Sequence, residues 1–484
     1  MNQTALSGRH RPAGAGADAI GDRLDRMPVS AMHRRLTAVI GIGLLFDTFE
    51  NNLSGTISQV LKEDFAFGGS TLKLVLASAF LGQFAGSLVL GRVADRLGRR
   101  RAFLVNLALY SAFSLLGAFS PNAAWLVVTR FFAGVGIGAE QTLSDCYLAD
   151  VLPASHRGRY TAWAYTLAFC GVPAVGFAAL WLVPLSPLGI AGWRWLFVAG
   201  SLGSAVVWIG RRRLIESPRW LAANGRTAQA ERLVARLEAS AGRTRPPLTT
   251  APGPEPASGT ATDGTAEAAG AAGPAAPSPS PSPSLLRVIL QPPYRRRTLM
   301  LWTVCVLSVF GYYGFGSLAP QILAAKGYGM VAGLGFTALS FVGYPLGSAL
   351  SLPLIDRVER KVLLAAAAAG MIATGTGFAF CTQPPLIIGF GFSYTLVSNV
   401  FSNASHVYLA EQYPTAIRAG ASGAAYSLSK LSAAALPFLL LPVLQTHGPV
   451  SLFAVISAAM ALLAALVLLV GDRTTGAPVD QLPR

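Results

Sequence analysis

The stretch YLADVLPASHRG (147–158) returns further along the chain as YLAEQYPTAIRA (408–419). Tyr, Leu, Ala, an acid, Pro and Arg coincide at a shift of 261 residues (147 to 408). The same shift carries DRLGRR (95–100) onto DRVERK (356–361). Two matches at one offset mean two copies of one unit. The flanking sequence says what the unit is made of. Apolar stretches of about 20 residues recur on both sides of each motif, long enough to cross a bilayer as helices. Of the 484 residues, 52% are hydrophobic and only 12% charged, with a mean hydropathy of +0.50. A soluble domain carries about twice that charged fraction.

Twelve spans are predicted, near 37–60, 72–91, 102–120, 124–148, 159–182, 194–210, 298–323, 332–355, 362–380, 385–408, 418–443 and 449–470. The fold class is therefore an all-α membrane protein of two pseudo-symmetric six-helix halves, 37–210 and 298–470. Tails at 1–36 and 471–484 and a connection at 211–297 complete it. The connection begins with a short helix to about residue 239. It continues as a Pro/Ala/Ser-rich segment (240–284) with no apolar periodicity, which reads as a disordered tether. Parallel repeats of this kind place a substrate cavity between the halves, near the midplane.

Charge orients the spans. With the N-terminus inside, the inside segments hold 32 of the 38 Lys and Arg residues. The outside loops hold four, Lys62, Lys73, Arg194 and Lys326, while Arg130 and Lys430 stay within spans. This bias puts both termini in the cytoplasm. It also accounts for the net charge of +16 without a nucleic-acid partner. The Arg clusters at 99–101, 211–213 and 295–297 are expected to meet anionic lipid. The usage of 33 Arg against 5 Lys matches a GC-rich bacterial genome, hence a cell inner membrane. The first 36 residues are polar and hold six Arg, unlike a cleaved signal peptide. Cys146, Cys170, Cys305 and Cys381 form neither a disulfide framework nor a metal spacing. GVGIG (134–138) is a small-residue packing motif, because no strand precedes it and no P-loop lysine follows. No nucleophile–base pair or nucleotide motif is present, so neither an enzyme nor a cofactor is expected. The protein is expected to be monomeric.

GRVADRLGRRR (91–101) resembles the loop signature of the major facilitator superfamily. RFFAGVGIGAEQTLSDCYLADVLPASHRGR (130–159) resembles span four and its following loop in the sugar-porter and metabolite–proton-symporter branches, and ESPRWL (216–221) is similar to their sequence after span six. The resemblance covers 37–470. Leu352 stands where the second copy of the signature would carry Gly. The paired Gln of sugar porters in span seven gives way to VFGYYGFGSLAPQIL (309–323). The branch is thus nearer to metabolite and organic-acid symporters. Alternating-access transport is what the resemblance implies.

It also implies roles for charged residues. Asp95, Arg96, Arg99, Arg100, Asp150, Arg157, Glu216 and Arg219, with Asp356, Arg357, Arg360, Glu411 and Arg418 in the second half, match a cytoplasmic gate of ion pairs between the halves. Exposed pairs of about 0–1 kcal/mol each can break and re-form. Arg130 lies within span four and needs an anion. Asp47 in span one is the expected partner, and the pair matches the proton-coupling pair of related porters. Candidate cavity residues are Glu50, Asn51, Gln83, Glu140, Asp145, Trp163, Tyr312, Tyr313, Asn399, Asn403 and His406, with Tyr165, Gln321, Tyr394 and Tyr426 as further aromatic and polar candidates. Asn399 and Asn403 share a face at i,i+4. The shift sets Asp145 opposite His406, and Glu140 is a candidate partner for Lys430. The expected function is proton-coupled symport of a small neutral, monocarboxylate or zwitterionic metabolite. The alternatives are proton-driven export of an organic cation and a nutrient sensor signalling through 211–297.

Overall fold

The computed structural model describes residues 13–66, 68–242, 290–413 and 415–473, so the expected tether (240–284) lies outside the described residues beyond Gly242. The first half runs α1 (Ala13–Asp25), α2 (Ala31–Thr56), α3 (Ser58–Asp64), α4 (Gly69–Leu97), α5 (Arg99–Ala118), α6 (Ala123–Gly138), α7 (Glu140–Val151), α8 (Arg157–Phe169), α9 (Gly171–Leu182) and α10 (Gly192–Arg211). Two short helices follow, α11 (Pro218–Ala223) and α12 (Thr227–Ser240). The second half runs α13 (Pro292–Gly316), α14 (Ala319–Ala325), α15 (Met330–Phe341), α16 (Gly343–Arg357), α17 (Arg360–Phe380), α18 (Pro384–Glu411) and α19 (Thr415–Val470).

The 261-residue shift runs through these boundaries. It carries α2 onto α13, α3 onto α14 and α5 onto α17, each to within about one residue. The predicted first and seventh spans were single helices to 60 and 323. Each instead breaks at its equivalent position, Ile57 and Leu318, and continues as a seven-residue helix. Pro320 opens the second of these, where a missing N–H costs nothing. Nine described stretches are long and apolar enough to cross a membrane. The last, Ala421–Val470, contains the turn at Gly448 (φ 77°) and covers two crossings. The charged helix α2 (26 residues) and α10 (20 residues) bring the crossings to twelve.

Small residues set how closely the helices approach. A Cβ on Gly82 would strike the carbonyl oxygen of Phe131, and one on Gly86 that of Val135. Gly134 and Gly138 in turn face the carbonyls of Ala79 and Gln83. In the second half Gly343 and Gly347 take the places of Gly82 and Gly86, against the carbonyls of Phe392 and Leu396. The places of Gly134 and Gly138 go to Thr395 and Asn399. Thr395 donates to Ser340 O at 2.5 Å and Asn399 to Tyr344 O at 2.6 Å. The same pair of carbonyls is met by glycine packing in one half and by side-chain donors in the other. Asn403 donates to Ser348 and Ser351 at 3.1 and 2.8 Å on the neighbouring helix. Both asparagines expected in the cavity are thus interhelical ties.

The end of the bundle rich in Arg carries a small cap. Leu24, Trp220, Leu221, Val234 and Leu237 from α1, α11 and α12, with Met27 just after α1, form one apolar cluster. Arg23 holds Glu238 through two hydrogen bonds of 3.0 and 2.7 Å. At the opposite end the halves meet closely. A Cβ on Gly55 would stand 2.9 Å from Ser317 Cα, and Gln321 donates to Ser58 at 3.3 Å.

Gly86→Val is expected to abolish a monodisperse folded protein in size-exclusion chromatography, because the added atoms meet backbone. Asn399→Ala should fold and lose about 1 kcal/mol, as one interhelical hydrogen bond does. A Gly86→Val protein as heat-stable as the parent would show that the close approach is dispensable.

Candidate functional site

A cavity of about 160 Å³ lies between the halves, lined by α2, α4 and α6–α8 on one side and α13, α18 and α19 on the other. Of the residues expected there, Asp47, Asn51, Gln83, Glu140, Tyr312, Tyr313 and His406 line it. Gln83 donates to Asn51 Oδ1 at 2.6 Å, fixing both amides on one wall. The facing wall is aromatic. Tyr312 meets Tyr313 edge-on at 4.9 Å, and Phe80 meets Tyr313 likewise. Lys430 Nζ donates to Tyr313 at 3.3 Å and lies 5.6 Å from its ring centroid. Among the described residues Lys430 has no carboxylate partner.

Five expected members, Glu50, Asp145, Trp163, Asn399 and Asn403, do not line it. Trp163 is 55% exposed on the outer surface. Asn399 and Asn403 hold helices together, as above. Glu50 is the largest correction. It is 1% exposed and accepts a 2.6 Å hydrogen bond from Arg130, itself 1% exposed. Arg130 also donates to the Glu50 backbone oxygen at 2.9 Å, and Ser114 to the carboxylate at 2.5 Å. The Arg130 guanidinium lies 5.5 Å from the Phe197 ring centroid. The expected Asp47–Arg130 pair is therefore absent. The reason is depth. Glu50 lies one turn, about 4.5 Å, further along α2 than Asp47, level with Arg130. Its extra methylene completes the reach.

Asp47 is left facing the cavity. It is buried, and neither carboxylate oxygen has a hydrogen-bond partner among the described residues. Glu140 pairs with Arg211 and not with Lys430. Arg211, expected to face lipid with Arg212 and Arg213, is fully buried and lies over the Phe103 ring at 4.4 Å. The span-end rule concealed it, since α10 ends at this residue and the side chain turns back into the bundle.

The repeat also pairs residues at the cavity. Tyr165 donates to Asp145 at 2.6 Å. The shift carries these two onto Tyr426 and His406, which are likewise hydrogen-bonded and have rings stacked at 4.9 Å. Tyr165 and His406 lie 6.5 Å apart across the interface. Asp145 thus stands behind the wall, with Tyr165 in front. Residues that sequence reasoning missed include Thr48, Gln141, Ser308, Ser402 and Ser405. Their only signal was polarity one turn from a named candidate. Tyr394, by contrast, is core, donating to Gly311 O at 2.8 Å.

Two pairs among the described gate residues join elements within one half. Arg99 lies 3.9 Å from Asp150, and the repeat-related Arg360 lies 3.4 Å from Glu411. Glu216 accepts from the backbone N–H groups of Arg99 and Arg100 at 2.8 and 3.2 Å. Arg157 and Arg219 both hold Asp25, at 2.8 and 2.7 Å, a residue the sequence did not single out. Arg96 and Arg357 are exposed. The side chains of Asp95, Asp356 and Arg418 lie outside the described residues.

Two helical half-bundles around a polar and aromatic cavity define a membrane transporter. Residues 39–437 match the family described as Major Facilitator Superfamily, and the chain belongs to it. A Bacillus subtilis (strain 168) protein named for metabolite transport, YyaJ, is 31% identical over 85% of this chain and 86% of its own. The niacin transporter NiaP of Acinetobacter baylyi is 25% identical over 95% and 98%. The solved structure of the xylose transporter XylE from E. coli, in a partially occluded inward open conformation, superposes with a TM-score of 0.69 at 20% identity. It covers 93% of this chain and 100% of that one.

Breaking a buried pair from one side leaves an uncompensated charge, which costs about 3–5 kcal/mol. Glu50→Gln and Arg130→Gln should each lower thermal stability by that amount in detergent. Asp47→Asn should stay within about 1 kcal/mol of the parent. The reverse order would restore Asp47 as the partner of Arg130.

Proposed function

We propose that the protein is a proton-coupled symporter of a small organic monocarboxylate, set in a bacterial inner membrane with both termini in the cytoplasm. One observation carries the reading. Among the described residues, the cavity walls hold Asp47 with no hydrogen-bond partner and Lys430 with no carboxylate partner. The other strongly buried charges are matched, Glu50 with Arg130 and Glu140 with Arg211. Asp47 then takes the proton, and Lys430 takes the cargo's negative group. Tyr312, Tyr313 and Tyr426 offer faces for a flat apolar body. The volume of about 160 Å³ is below the roughly 300–1,000 Å³ of drug-sized sites, so the cargo is small. The relative named for niacin, a pyridine monocarboxylate, supports this class.

Alternating access follows from the same layout. The halves touch at the end bearing Gly55 and Ser317, while the cavity wall reaches residues such as Leu301 and Leu409 toward the Arg-rich end. With the termini cytoplasmic, this arrangement faces inward. Protonation of Asp47 removes a buried charge and frees the loaded protein to reorient. The organic-cation reading is disfavoured by Lys430 in the wall.

The test is uptake in proteoliposomes of small aromatic monocarboxylates and their amides, with an imposed pH gradient. Accumulation of the acid is expected, with the amide excluded. Lys430→Gln should raise KM for the acid about tenfold or more, as loss of a charge-assisted hydrogen bond does. Asp47→Asn should abolish accumulation and keep exchange of internal for external cargo. Gradient-driven accumulation unchanged in Asp47→Asn would overturn proton coupling at this residue.

A further inference from the structure

We propose that Arg211 is a positioning residue for the proton at Asp47, shared between the carboxylates of Asp47 and Glu140. The inference rests on Asp47 being the proton site. Arg211 closes α10, yet no part of it is exposed. Its guanidinium lies over Phe103 and bonds Glu140 through Nη1. Nη2 lies so close to Gly43 that a Cβ there would collide with it. Gly43 is one turn before Asp47, on the same face of α2. Arg211 Nη2 and Nε have no hydrogen-bond acceptor, and Asp47 Oδ1 and Oδ2 have no donor, among the described residues. A buried donor left unmet costs about 1–3 kcal/mol, and so does a buried acceptor. The unmet donor and the unmet acceptors stand within one helical turn of each other.

Charge counting gives the arrangement its meaning. Two carboxylates and one guanidinium carry one negative charge in excess, and the interior does not tolerate it. One proton removes the excess. With Asp47 protonated, Arg211 and Glu140, which are paired in this structure, balance each other's charge. When Asp47 gives up its proton, the free Nη2 of Arg211 is at hand to receive the carboxylate. The groups facing Asp47 are Glu140 from α7, Arg211 from α10, Tyr110 from α5 and, one turn along α2, Glu50. Glu50 is already held by Arg130. Glu140 also lines the cavity and has Asn106 Nδ2 at 3.5 Å from its second oxygen, so the sharing site borders the cargo.

The test uses the full-length protein in proteoliposomes and reads the pH midpoint of gradient-driven uptake of a small aromatic monocarboxylate. Glu140→Gln leaves Arg211 to Asp47 alone, and the midpoint should move to lower pH by about one unit or more. Glu140→Gln with Arg211→Gln removes both charges and leaves no unpaired ion to endanger folding, and its midpoint should lie at higher pH than that of Glu140→Gln alone, because Asp47 has lost its cation. A shift in Glu140→Gln that the added Arg211→Gln reverses supports the assignment, because a pair with only a structural role moves neither midpoint. Midpoints unchanged in both folded variants, with Asp47→Asn still uncoupled, would overturn the role of Arg211 and leave the proton site at Asp47 standing. Uptake in the parent that ignores the pH gradient would overturn both.

Discussion

A guanidinium inside a helical bundle must have an anion at hydrogen-bond distance, or the bundle does not form. Arg130 meets that demand through Glu50, with Ser114 as a further donor to the carboxylate and the Phe197 ring beside the guanidinium. Isolated, each of these ions would cost several kcal/mol to bury. Paired, they bind α2 to α6 from within and add no net charge. The same rule applied to Arg211 and Glu140 ties α10 to α7. Once both arginines are neutralised, the charge of Asp47 is no longer needed for the fold. A residue freed from a structural task is free to change protonation state, and the proposed coupling rests on that separation of duties.

The internal repeat extends this economy of parts to the backbone. Equivalent positions meet equivalent carbonyls in both halves, by glycine contact in one and by Thr395 and Asn399 donors in the other. Equivalent tyrosines, Tyr165 and Tyr426, flank the cavity, each bonded to a group one helix away, Asp145 or His406. The two copies have kept the geometry and diverged in chemistry. One half supplies the acids and amides of the cavity, the other its aromatic wall and Lys430.

Two short motifs were enough to read the architecture, because a shared offset and apolar length are properties of the chain alone. The breaks at Ile57 and Leu318 obey the same offset, although the apolar length alone read each span as one unbroken helix. Depth along a helix was not legible at the needed precision. An error of one turn in placing α2 against α6 exchanged Glu50 for Asp47. Helix rotation was hidden too. The i,i+4 spacing of Asn399 and Asn403 put them correctly on one face, but nothing in the letters said that this face meets α16 instead of the cavity. Arg211 was masked by its neighbours, since a basic run at a span end ordinarily lies at the lipid surface. Asp25 gave no signal because its partners, Arg157 and Arg219, are distant in sequence.

The central claim is that Asp47, alone among the acids of the first span, carries the exchangeable proton. Infrared difference spectroscopy between acid and alkaline pH, on the full-length protein in lipid, reads the C=O stretch of a protonated carboxyl group directly. The band should vanish in Asp47→Asn and persist in Asp145→Asn. A protonated-carboxyl band that survives unchanged in Asp47→Asn would contradict the account.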